Sequence, residues 1–228
     1  MGLACGSFLC ALGLFFPNIL HQHFEALLNY FYVGKWLAAR KLWPKKWVYS
    51  KRQVLAEALK PFENSKVNYM EFGVFHGESM RFVSNFLKHP ETNFYGFDAF
   101  EGLPETWNEV HPLRSLTVDN RVPKFDDKRI QLVIGYFQQT LARFELKNDA
   151  PIIVNIDSDL HSSAQCVLEF IKSRMNKVAA IYFDEFNHKH HELRAFQDFL
   201  VESKISTETL VADRTASYIV FKFSGPTV

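Results

Sequence analysis

The stretch Val67–Gly77, reading VNYMEFGVFHG, constrains the fold more than any other part of the chain. Val67, Tyr69, Met70 and Phe72 form a short apolar run with an acid, Glu71, near its end. Gly73 and Gly77 follow, then Glu78, Ser79 and an apolar periodic segment through Phe82, Val83, Phe86 and Leu87. This is the pattern of a buried strand, a glycine-lined turn and a helix start. Glycine lets backbone approach a ligand closely, and a helix N-terminus offers unpaired N–H groups. In an open α/β sheet, ligands sit in the crevice at the carboxyl ends of the strands. The spacing is not the dinucleotide-binding G-x-G-x-x-G, and a plain tight turn would also account for two glycines.

The rest of the chain repeats the alternation. Thr92–Phe97 reads as a second strand ending in Asp98, an acid placed to meet ribose hydroxyls as in dinucleotide-binding folds. From Glu101 to Lys128 the chain carries Pro104, Pro112 and Pro123 and no strong period, which reads as a lid beside a site. Ile130–Ile134 is a third strand closed by Gly135, and Phe137–Phe144 a short helix. Pro151–Ile156 is a continuous apolar run, as in a central parallel strand, and ends in Asp157, Ser158, Asp159 and His161. After a helix, Val178–Phe183 ends in Asp184 and Glu185, and His188–Val201 is helical. Two strands, Thr207–Val211 and Ser217–Phe223, lie too close for a crossover and predict a hairpin with an antiparallel edge strand. The class is α/β with a mostly parallel sheet.

The front of the chain differs. Leu3–Phe16 is apolar but stops at Pro17, short of the ~20 residues a bilayer span needs. It lacks the basic start of a secretory signal, and position 6 is Gly, so Gly2 makes no myristoylation signal. Ile19–Trp47 reads as helical, with Trp36, Trp43 and Trp47 among Lys35, Arg40, Lys41, Lys45 and Lys46. Up to Lys60, eight lysines and arginines face only Glu25 and Glu57, although the whole chain carries a net charge of +1. Residues 1–60 therefore read as a helical arm and 61–228 as the α/β domain. The arm packs on its own domain, on a second copy in a homodimer, or through residues 1–47 on a membrane surface. No nucleic-acid-binding motif is present. Cys5, Cys10 and Cys166 form no disulfide or metal pattern, which points to a reduced, cytoplasmic setting.

The strand ends carry the chemistry. All strand ends of a parallel sheet share one edge, and clustered carboxylates there repel one another unless a cation intervenes. Asp157, Asp184 and Glu185 come from neighbouring strands and would suit a hard cation such as Mg²⁺, which takes carboxylate oxygens and water.

The segments EFGVFHGES, YGFDAFEGLPE, GYFQQTL, NIDSDLHSS and YFDEF resemble, in order and spacing, the class I S-adenosylmethionine-dependent methyltransferases. More narrowly they resemble the macrocin-type sugar O-methyltransferases, over Val67–Phe223. The resemblance implies a Rossmann-like, seven-stranded sheet with an antiparallel last strand and helices on both faces. It implies that Glu71, Gly73, Gly77 and Ser79 lie near the methionine part of S-adenosylmethionine, Asp98 at its ribose, and Gly135, Tyr136 and Phe137 at its adenine. It also implies a divalent ion, usually Mg²⁺, at Asp157, Asp184 and Glu185. The family usually has Asp where Glu185 stands and Tyr where His161 stands.

Methyl transfer to a hydroxyl is an in-line displacement governed by positioning, with a base to take the proton. Asp157, Asp159 and His161 are the sequence candidates. The acceptor is a hydroxyl of a sugar, glycan or other small molecule. A catechol or phenol acceptor, or a non-catalytic member that uses the arm for binding, are the competing readings.

Overall fold

The computed structural model describes residues 18–105, 113–115, 117–118 and 121–226. The apolar start Leu3–Phe16 and part of the predicted lid, 106–112, 116 and 119–120, lie outside the described residues. The elements in order are α1 (Asn18–Ala39), β1 (Lys46–Val48), α2 (Lys51–Leu59), β2 (Asn68–Phe72), α3 (Glu78–Phe86), β3 (Asn93–Asp98) and β4 (Ile130–Ile134). Then follow α4 (Phe137–Thr140), β5 (Ile152–Ile156), α5 (His161–Lys172), β6 (Val178–Phe183), α6 (Glu192–Ser203), β7 (Ile205–Asp213) and β8 (Ile219–Pro226).

One sheet holds all eight strands in the order β1-β7-β8-β6-β5-β2-β3-β4. Only β8 runs against its neighbours. The central strands β2 and β5 are buried along their whole length, which explains why both faces of each are mostly apolar, with Asn68, Glu71 and Asn155 as buried polar exceptions. Alternation splits them between two cores. Met70, Phe72, Val154 and Ile156 pack with α1, α5 and α6 on one face, and Val67, Tyr69 and Ile153 with α2 and α3 on the other. The result is a doubly wound sheet with helices on both faces.

Three differences from the sequence reading concern the front and the end of the chain. The helix expected from Ile19 to Trp47 stops at Ala39. Lys41 takes a left-handed φ of 58°, and the Leu42 N–H donates back to the Leu37 carbonyl at 2.8 Å, a C-terminal cap that turns the chain. Beyond Pro44, which cannot continue a helix, Lys46–Val48 pairs in parallel with Val211–Asp213. This three-residue strand makes the sheet eight-stranded rather than seven-stranded. Finally, β8 is no edge strand: it is inserted between β6 and β7, and the edges are β1 and β4. A hairpin can be placed so only when the first of its two strands takes the outer position.

The front of the chain is bound to the rest by named contacts. Val33, Trp36 and Leu37 of α1 are buried, with the Trp36 ring 5.7 Å from Phe186 and 6.5 Å from Phe221. Lys45 pairs with Glu208 at 2.6 Å and Lys46 with Glu57 at 2.7 Å. The outward face of α1 stays apolar: Phe24 is 60% exposed and Phe31 63%. No helix among the described residues is long and apolar enough to cross a membrane.

Candidate active site

The carboxyl ends of β2 to β6 meet at one edge of the sheet, and backbone bonds continue the sheet just past them. Gly73 N–H donates to the Phe97 carbonyl (2.9 Å), Asp157 N–H to that of Phe72 (2.9 Å) and Asp184 N–H to that of Ile156 (3.0 Å). Gly73 sits at φ +97°, and a Cβ there would lie 1.7 Å from the Asp157 carbonyl oxygen. Gly77, at φ +77°, caps α3 and lies under the Phe125 ring. Phe125 of the predicted lid therefore rests on the glycine turn. The Arg81 guanidinium covers the same ring at 4.9 Å.

Asp98 organises this corner. Its Oδ2 accepts from the N–H groups of Val74 and Phe75, each at 2.8 Å, and its Oδ1 from Phe100 N–H at 2.7 Å. Phe75 and Phe100 both have left-handed backbones, φ 49° and 57°, which bulky residues rarely adopt. One carboxylate thus holds two costly conformations in place. A carboxylate oxygen has two lone-pair directions, so Oδ1 keeps one for a ligand hydroxyl.

Glu71 lies beneath the turn rather than in the open cleft, and is fully buried. It accepts from Ser79 Oγ (2.8 Å), Tyr69 Oη (2.9 Å) and Asn155 Nδ2 (3.3 Å). Burial raises its carboxyl to about 7, against the pull of these donors.

A cleft of about 410 Å³ runs along the strand ends, within the range of small-molecule sites. Of the residues singled out from sequence, Gly73, Asp98, Tyr136, Phe137, Asp157, Asp159 and Glu185 line it. Ser79 lines a smaller cavity of about 300 Å³, which shares Val74, Phe75 and Asp157 with the cleft. Gly135, with φ +135°, follows β4 and is bonded to the Asp98 carbonyl at 3.0 Å. His161 lines neither cavity: its Nε2 lies 3.3 Å from Asp198 Oδ2 on α6.

Asp159 and Glu185 both line the cleft, Asp159 with a left-handed φ of 61°. Burial, then the charges of Asp159 and Asp184, raise the Glu185 carboxyl to about 7. The loops that carry this pair are fixed from below by Glu192, a residue the sequence reading passed over. Glu192 is fully buried, and its two oxygens accept from Ser158 N–H (3.1 Å) and Glu185 N–H (3.2 Å). An acid in the first turn of a helix ordinarily reads as a dipole partner, so its sequence context held no sign of this role.

Lys51, in the sequence only one charge of a basic stretch, also belongs to the site. Its Nζ lies 2.6 Å from Asp184 Oδ1 and 3.0 Å from Asp157 Oδ2. Burial works to lower the lysine's proton affinity, but the two carboxylates outweigh it and hold the ammonium charged. Burial and Asp184 raise Asp157 in turn. Asp184 also accepts from Tyr182 Oη at 2.6 Å. Two of the three carboxylates expected to share a divalent ion are therefore bound to an ammonium, while Glu185 lines the cleft. Among the described residues, no group of three or more His, Cys, Asp or Glu side chains is arranged to hold a metal ion.

The sequence matches the macrocin-O-methyltransferase (TylF) family over residues 50–220. Among solved structures, the calicheamicin methyltransferase CalS11 is similar, with a TM-score of 0.56, 20% identity, and coverage of 75% of this chain and 76% of that one. Its apo structure, described as a TDP-rhamnose 3'-O-methyltransferase, gives a TM-score of 0.54 at 19% identity, covering 75% of this chain and 78% of that one. The O-methyltransferase NovP gives 0.50 at 16% identity, covering 75% and 77%. These likenesses establish the shared fold. No curated protein sequence matches the chain.

Proposed function

The chain belongs to the macrocin O-methyltransferase family and is an S-adenosylmethionine-dependent O-methyltransferase, and from this premise we propose that it methylates a hydroxyl of a sugar or glycan. The observation that carries the reading is that one cleft is lined both by Gly73 and Asp98 and by Asp159 and Glu185. In this reading Asp98 accepts from a ribose hydroxyl, Tyr136 and Phe137 border the adenine, and Gly73 leaves room for the methionine part. Glu71 and Ser79 support the turn from beneath.

Bound S-adenosylmethionine supplies an electrophilic methyl group. The chain's task is to align the acceptor oxygen and remove its proton. Glu185 is the proposed base, with Asp159 as its neighbour. Asp157 is committed to Lys51, and His161 to Asp198. The divalent ion expected at Asp157, Asp184 and Glu185 does not fit this arrangement and has no part in the proposed reaction.

Methyl transfer to a panel of nucleotide sugars, glycosides and catechols, read by mass, tests the reading. Transfer to the sugars is expected, and Asp98→Ala should weaken S-adenosylmethionine binding about 5- to 150-fold, the equivalent of 1–3 kcal/mol for unpaired buried donors. A product only with catechols would favour the phenol reading. Cofactor binding without any product would favour a non-catalytic role, and undiminished affinity in Asp98→Ala would remove Asp98 from the ribose.

We also propose that the arm expected over residues 1–60 joins the catalytic domain through β1 and α2, and that its apolar α1 face meets a bilayer surface or a second copy of the chain. The exposed Phe24, Leu27, Leu28 and Phe31 support this. A Phe24→Ser, Phe31→Ser variant should lose either liposome co-sedimentation or dimer mass. If neither changes, the face is idle.

A further inference from the structure

We propose that Lys51 is the resident cation of this active site, standing where a divalent ion would otherwise bind between Asp157 and Asp184. The inference rests on the methyltransferase reading of the cleft, but its geometry stands apart from the identity of the acceptor.

The placement of Lys51 is built from its local sequence. Ser50 caps α2, its Oγ accepting from Gln53 N–H at 3.3 Å, and the Gln53 side chain accepts from Tyr49 N–H at 2.8 Å. Lys51 is thereby set at the first position of the helix. A positive charge is disfavoured there, because the helix N-terminus is itself positive. The residue does nothing for its helix that a neutral side chain would not do better, so its purpose lies with its partners. Those partners are 106 residues along the chain, at Asp157, and further still, at Asp184. The side chain is one-third exposed at 32% and, with Asp157, lines the wall of the small cavity, while Asp184 is only 13% exposed.

An ammonium and an ion cannot share the space. Mg²⁺ sits about 2.0–2.1 Å from its oxygens and takes a near-octahedral set, whereas the ammonium is held at ordinary hydrogen-bond distance. Lys51 offers three donors, and two go to the carboxylates. The Tyr218 ring lies 6.0 Å away on a further side. The repulsion between strand-end carboxylates is thus offset by a group carried on α2. Lys51 is a positioning residue: it holds Asp157 and Asp184 inward, and with them the loops that present Asp159 and Glu185.

The test is Mn²⁺ binding, followed by electron paramagnetic resonance, to the full chain and to Lys51→Ala, Lys51→Arg and Lys51→Ala combined with Asp157→Asn. Lys51→Ala should bind Mn²⁺ at least about tenfold more tightly than wild type, because it frees both carboxylates as ligands. Lys51→Arg should behave as wild type, and the double variant should lose the gained site. Wild type that binds Mn²⁺ as tightly as Lys51→Ala, through Asp157, would overturn the proposal. So would equally weak binding in both. The wild-type measurement remains decisive if Lys51→Ala fails to fold: tight binding lost in Asp157→Asn overturns the proposal, and its absence supports it. Calorimetry with S-adenosylmethionine, run in parallel, reports on the methyltransferase reading alone.

Discussion

Gly73→Ala should leave a protein that neither binds S-adenosylmethionine nor keeps its wild-type stability. A methyl group at this position would lie 1.7 Å from the Asp157 carbonyl oxygen, roughly half an ordinary contact distance. The obstacle is backbone and cannot rotate away. It is also fixed, because Asp157 N–H is bonded to the Phe72 carbonyl at 2.9 Å and belongs to the end of a fully buried strand. Relief requires pushing the end of β5 outward, together with Asp157, Ser158 and Asp159. The backbone at φ +97° adds strain of its own for any residue with a Cβ. Overpacking and a disallowed conformation together cost about 3–5 kcal/mol, enough to unfold a marginal domain. Urea melts and calorimetry read the two losses separately. Gly34, inside α1 with nothing within 4 Å of a Cβ, is the control: alanine there should stabilise by about 0.5–1 kcal/mol. A Gly73→Ala protein with wild-type melting and cofactor affinity would mean that the strand ends do not approach as described.

The second large effect is on rate. Glu185→Gln should lower turnover by about 10²- to 10⁴-fold, the usual worth of a general base. Wild-type activity should rise with pH and level off above about 7, since Glu185 accepts a proton only when ionised and its carboxyl is raised to about 7 by burial and by Asp159 and Asp184. Glu185→Gln should lose that limb of the profile. Stability should move the other way. A carboxyl raised above its unfolded value of 4.5 binds more protons in the folded state, so its contribution weakens as pH climbs from 4.5 to about 7. The variant should therefore gain on wild type above pH 7 while remaining slow. If Glu185→Gln keeps both rate and profile, the proton goes to Asp159 instead.

Much of this site is written in local sequence. The run from Val67 to Phe72 is a strand because each of its residues is buried, and a glycine must follow because the next strand passes within contact distance. Parallel strands send their carboxyl ends to one edge whatever the details, so Asp98, Asp157 and Asp184 had to gather there. The need for a cation among them was also legible, from charge alone. Which cation was not. Lys51 arrives from a helix 106 residues before Asp157, and no periodicity or motif links the two positions. The same holds for Glu192, whose carboxylate reaches back 34 residues to Ser158, and for His161, which turns to Asp198. Strand β1 is three residues long and takes its partner from β7, and β8 enters the sheet between two strands already in place. Local sequence decided the elements and the edge where the chemistry gathers, because dihedral preference and burial period act between near neighbours. Tertiary structure alone decided which charges face each other there, because that depends on how distant elements pack.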